Sequence, residues 1–117
     1  MSAAKQLLKW MSFLNDFSEA NQNQPVRLAT FENISGVTND YWLVDGLALL
    51  GFELGNRENA AVVEIKLDGF THVARDVRTI RAVLSLDGSE DGLDLVGPRE
   101  TTILRFEDHL ETKTRVP

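Results

Sequence analysis

The sequence predicts an α+β fold, in which a long N-terminal amphipathic helix packs on a curved, mostly antiparallel sheet of about six short strands. Three observations predict it. Apolar residues recur at three- and four-residue steps near the start of the chain, and they alternate with polar residues through most of the rest. No segment between the strands has the length of the crossover helices that a parallel βαβ sheet needs.

From Ala3 to about Ala20 the apolar positions are Leu7, Leu8, Trp10, Met11, Phe13, Leu14 and Phe17, with Lys5, Lys9, Asn15, Asp16 and Glu19 between them. That spacing gives a wide apolar face, which needs a cover, and the sheet of the same chain can supply it. Ser2 is placed to cap the first turn, and the Asn21-Gln22-Asn23-Gln24-Pro25 stretch ends the helix. After Pro25 the period changes to two: Val26, Leu28 and Thr30 face one way and Arg27, Ala29 and Phe31 the other. Asn33 to Asp40 reads as a polar loop, and Tyr41–Val44 and Leu47–Leu54 as two short strands around Asp45-Gly46, with a helical turn at Leu47-Ala48-Leu49-Leu50 as the alternative.

Beyond the Gly55–Asn59 turn, Ala61, Val63, Ile65 and Leu67 alternate with Val62, Glu64 and Lys66 as a half-buried strand does. Asp68-Gly69 closes it. Phe70, Val73 and Val77 stand at helical spacing, so a short helical insert is expected near residues 70–76. Ile80, Ala82, Leu84 and Leu86 start another strand, followed by an acidic turn and strands at Leu93–Val96 and Thr101–Phe106. Partial closure of this sheet towards a barrel is left open by the pattern. Residues 1–110 are expected to form a single domain, and residues 111–117 a loose polar tail.

Composition narrows the function classes. A chain of 117 residues with 43% hydrophobic and 26% charged residues has the make-up of an ordinary globular domain. It has no cysteine, so disulfides, thiolate ligands and a thiol nucleophile are excluded, and a cytoplasmic location fits. A net charge of −6 without a run of lysine or arginine argues against a nucleic-acid partner. The longest apolar stretch, Tyr41 to Phe52, is broken by Asp45 and two glycines, and the expectation is no membrane association.

Few residues point to chemistry. Asp87-Gly88-Ser89-Glu90-Asp91-Gly92 matches the first half of a calcium loop, but Pro98 stands where the closing glutamate belongs, so an acidic turn is the better reading. His72 has Asp68 four residues before it and Asp76 four after, with Arg75 near; on a helix these would share a face. A lone histidine with two carboxylates offers neither a nucleophile nor a transition-metal shell, and His109 falls in the tail region. Arg75, Arg78 and Arg81 form a basic step that suits an anion or a solvated, ion-paired face. Tyr41 and Trp42 follow a polar loop and are candidates for exposed aromatics of a binding surface. No nucleophile elbow or paired carboxylates give support to catalysis, and no cofactor or metal is expected.

Trp10-x-x-Phe13, Leu49-Leu50-Gly51-Phe52 and the block from Glu64 to Val73 give the chain a resemblance to a small bacterial family catalogued as domain of unknown function 5335. It covers most of the chain in the same order and is closest from Glu64 to Ile80. Members often carry proline where this chain has Val77, and a shorter loop before the second strand. The resemblance implies a bacterial single-domain protein with His72 and the Asp68-Gly69 step as part of a shared pattern. It implies no activity, cofactor or catalytic residue. Two functional readings follow. The first is a protein-interaction or accessory module, engaging a protein partner or self-associating as a homodimer through a sheet edge or exposed apolar surface. The second is a small-molecule or anion-binding protein, with an enzyme as one form of it, centred on His72, Arg75 and Arg78.

Overall fold

The computed structural model describes residues 2–34, 37–58 and 60–106, with side chains described for residues 5–32, 43–58 and 60–106. One helix, α1 (Ser2–Ala20), precedes β1 (Pro25–Ile34), β2 (Val37–Arg57), β3 (Ala60–Leu67), β4 (Phe70–Val77), β5 (Thr79–Leu84), β6 (Glu90–Val96) and β7 (Glu100–Phe106). The fold is therefore α+β with an antiparallel sheet, and the sheet has seven strands where about six were expected.

In α1 the stripe of Leu7, Trp10, Phe13, Leu14 and Phe17 turns towards the sheet, with Leu14 and Phe17 wholly buried, while Leu8 and Met11 stay exposed. The buried stripe is narrower than the apolar face in the sequence. The helix ends on asparagines rather than on the proline. Asn21 donates from its side-chain nitrogen to the carbonyl of Phe17 at 2.9 Å, and Asn23 takes a left-handed φ of 68° that turns the chain. The N–H of Asn23 and the carbonyl of Gln24 then bond to Leu49, tying the helix exit to β2.

Three sequence expectations need correction. The segment near residues 70–76 is strand, not helix: Asp68-Gly69, with Gly69 at φ 86°, forms a tight turn that pairs Leu67 with Phe70 and Ile65 with His72. The helical spacing of Phe70, Val73 and Val77 was incidental, because a two-residue turn commits the chain to return along β3. Tyr41–Val44 and Leu47–Leu54 are one continuous strand. Gly46, at φ 95°, is an unpaired extra residue between the Val26–Leu47 and Arg27–Asp45 pairs, so Asp45-Gly46 is a bulge and not a turn. Most of the expected loop from Asn33 to Asp40 belongs to the β1–β2 ladder; Ser35 and Gly36 lie outside the described residues.

The strand order is β4-β3-β2-β1-β7-β6-β5, with every pair antiparallel. Two meanders are joined by the β1–β7 ladder, which runs from Val26–Phe106 to Glu32–Glu100. This order puts β4 and β5 at opposite edges, yet only Arg78 separates them in sequence. Seven strands laid flat would hold the edges roughly 29 Å apart at about 4.8 Å per step, whereas two peptide steps reach only about 7 Å. The sheet therefore curls until the edges meet at one corner. It does not close into a barrel, because no ladder joins β4 to β5 among the described strands.

The inner side of the curl carries Val26 and Leu28, Leu49, Val63, Ile65 and Leu67, Ala74 and Val77, Leu93 and Leu95, and Leu104 and Phe106. Together with Leu14 and Phe17 these form one core. No helix is long and apolar enough to cross a membrane among the described residues. Residues 107–117, with His109 and the expected tail, lie outside the described residues.

Candidate binding groove at the corner of the sheet

The corner where the sheet edges meet is built by local backbone irregularities. Asp76 has φ 55° and is the extra residue between the Ala61–Val77 and Val62–Arg75 pairs, so β4 bulges just before it ends. A non-glycine residue in this region carries strain, which aspartate bears better than most and which gathers at functional sites. The bulge presses the carbonyl of Asp76 against the β6–β7 turn. A side chain at Gly97 would place its Cβ 2.8 Å from that oxygen and 3.1 Å from the carbonyl of Glu100, so only glycine permits the approach. The turn is closed by Gly97 N–H donating to Glu100 at 2.9 Å, and Arg78 N–H donates to Val96 at 2.7 Å, which starts β5 beside β6.

This junction leaves a groove of about 550 Å³ lined by Arg75, Asp76, Arg78, Pro98, Arg99 and Glu100. Asp76 receives two hydrogen bonds from Arg78, from Nε at 2.8 Å and from an Nη at 3.3 Å, an arrangement that fixes the guanidinium and holds it further into its charged range. Arg75 and Arg99 make no ion pair among the described residues. Burial raises the carboxyl of Glu100 above its usual range, the charge of Glu32 opposite it on β1 raises it further, and Arg75 opposes both.

His72 stands apart from this groove. Its Nε2 lies 3.2 Å from the Thr102 hydroxyl, a hydrogen bond whose donor depends on the tautomer. β4 and β7 have three strands between them, so this contact spans the inside of the curl. Burial lowers the imidazole pKa below 6.5, and the charge of Arg75 lowers it further, which keeps His72 neutral at pH 7. Thr30, paired with Thr102 across the β1–β7 ladder, buries a hydroxyl without a hydrogen-bond partner among the described residues. These groups form a small polar patch within the core.

The expected helical face of Asp68, His72 and Asp76 does not exist, because the segment is a strand flanked by a turn and a bulge. Of the basic step, Arg75 and Arg78 reach the groove, while Arg81 pairs with Asp94 at 3.4 Å, as does Arg105 at 3.0 Å. Tyr41 and Trp42 sit in β2 opposite Thr30 and Ala29, and their side chains lie outside the described residues. Arg99 and Glu100 were missed by sequence reasoning. The signal for them was the Gly97-Pro98 turn, but only the topology brings that turn to β4. At the acidic turn, Asp87 accepts hydrogen bonds from the hydroxyl of Ser85 and from the N–H and hydroxyl of Ser89, which hold its carboxyl well below the usual range. No group of three or more histidine or acidic side chains that could hold a metal ion occurs among the described residues.

No protein-family profile, no curated protein and no solved structure matches this chain.

Proposed function

We propose that the chain is a binding protein that captures an anionic group in the corner groove, the second of the two readings the sequence supports. The observation that carries this is the pair of guanidiniums of Arg75 and Arg99, which make no ion pair among the described residues and flank a concavity of about 550 Å³. Asp76 and its bulge hold Arg78 at the same wall. Catalysis is not part of the reading, because among the described residues the groove holds no nucleophile beside a base. His72, held neutral by burial and by the charge of Arg75, stands outside the groove and adds no charge to it. We also read the chain as a relative of the bacterial family named above. That family carries no activity to transfer, so the proposal rests on the side chains.

Acetate and inorganic phosphate are expected to shift the amide signals of Arg75, Arg99 and Glu100 in an NMR titration. The Arg75→Gln/Arg99→Gln double variant should lose the response, and Arg81→Gln should keep it. Binding of sulfate, which keeps its charge throughout this range, is also expected to tighten as pH falls. Glu100 has a raised pKa and faces Glu32, Arg75 and Arg99, so protonating it removes a negative charge from the groove. Glu100→Gln should bind more tightly at pH 7 and lose most of the pH dependence. Equal affinities for wild type and double variant would end the reading.

One observation favours the protein-interaction reading. Leu84 is 59% exposed and Leu86 fully so, at the end of edge strand β5. Bare apolar side chains beside an unpaired edge suit self-association. Sedimentation should then show a concentration-dependent dimer that Leu84→Lys abolishes. A monomer at every concentration would dismiss it.

A further inference from the structure

A second concavity, of about 200 Å³, lies where α1 crosses the ends of β3 and β4. Leu7 and Trp10 of the helix, Ala61 of β3 and Val77 of β4 give it an apolar lining, and Asp76 and Arg78 stand in its wall as well as in that of the groove. An apolar pocket and an arginine groove thus share one salt-bridged pair of residues. We infer that the site takes a small aromatic monocarboxylate, with its carboxylate on the arginines and its ring beside Trp10. This rests on the anion-binding reading and adds the ligand class to it.

Size, charge and shape each select this class. An engineered apolar cavity of about 150 Å³ holds one benzene, so 200 Å³ accommodates a single ring. The groove has three guanidiniums against the carboxylates of Asp76 and Glu100, which leaves one positive charge to neutralise. A phosphate dianion would overshoot that charge and meet Glu100, with Glu32 behind it. Trp10 offers a ring for offset or edge contact, which favours an aromatic body over a branched aliphatic one.

The test uses the full chain with phenylacetate, acetate and benzyl alcohol as probes, followed by NMR at the Trp10 indole N–H and at the Arg75 and Arg99 amides. Phenylacetate is expected to bind at least tenfold more tightly than acetate and to shift both regions, with benzyl alcohol weaker than either acid. Ala60→Leu, which fills the same pocket from the half-buried start of β3, should bring phenylacetate down to the affinity of acetate and leave acetate unchanged. Trp10→Leu, checked for folding by circular dichroism, should reduce the preference in the same direction. If acetate and phenylacetate bind equally at the arginines, the aromatic-acid assignment fails and the anion reading stands. If neither acid binds, both fail.

Discussion

Phe17→Ala is expected to cost the fold about 3–5 kcal/mol, the range for removing a fully buried aromatic side chain. Phe17 is 2% exposed, and its ring centre lies 5.6 Å from that of Phe106, 6.0 Å from Phe52 and 6.0 Å from Phe13. Those partners come from β7, β2 and the helix itself. The ring therefore joins α1 to both meanders of the sheet, and alanine would leave a void with three aromatic walls that the helix cannot collapse without lifting off β2. Domains of this size have only about 5–15 kcal/mol of stability in total, so the loss is a large fraction of it. A urea titration followed by circular dichroism should show the midpoint fall steeply, and the melting temperature should drop by roughly 10–20 °C. Leu8→Ala is the control. Leu8 lies on the same helix at 65% exposure and should change stability by less than about 0.5 kcal/mol. If the two variants melted together, the helix would not be packed through Phe17 at all.

The helix face was legible because seven bulky apolar residues at helical spacing admit few other readings. The β3 strand was legible for the same reason at period two. What the sequence concealed was set by single residues with two meanings. Asp45-Gly46 reads equally as a turn or a bulge, and pairing of β2 across both β1 and β3 decides for the bulge. Phe70, Val73 and Val77 fit a helix, but the tight Asp68-Gly69 turn outweighs that spacing, because it brings β4 onto β3 at little entropic cost. The groove was half legible. Arg75 and Arg78 were found from their own neighbourhood in sequence, whereas Arg99 and Glu100 join them only because the two ends of the sheet meet. His72 was singled out for a helical geometry that does not form, and its neighbours in space are Thr102 and Arg75.

Gly92→Ala is expected to prevent the native fold from forming. In sequence this glycine sits at the sixth position of the acidic Asp87–Gly92 segment, where a calcium loop would need it for a sharp turn. Its structural role is different. Gly92 lies inside β6, paired with Val83 on β5 and Arg105 on β7. An alanine Cβ would overlap the carbonyl oxygen of Leu104 and stand 3.0 Å from its carbonyl carbon and 3.1 Å from the Cα of Arg105. All three atoms are backbone, so no rotamer change relieves the clash. Relief requires β6 and β7 to part where Leu93 and Leu104, both wholly buried, meet across the ladder. Separating them would open the core and free a row of backbone hydrogen bonds, a loss comparable with the entire stability of the domain. Gly55→Ala is the matched comparison, because a Cβ there meets nothing within 4 Å and the change should fall within about 1 kcal/mol of neutral. Soluble yield and the circular-dichroism melt separate the two: Gly55→Ala should unfold cooperatively near the wild-type temperature, and Gly92→Ala should give no cooperative transition. A Gly92→Ala variant that melted within a degree or two of Gly55→Ala would mean that β6 and β7 do not approach as closely as the ladder requires.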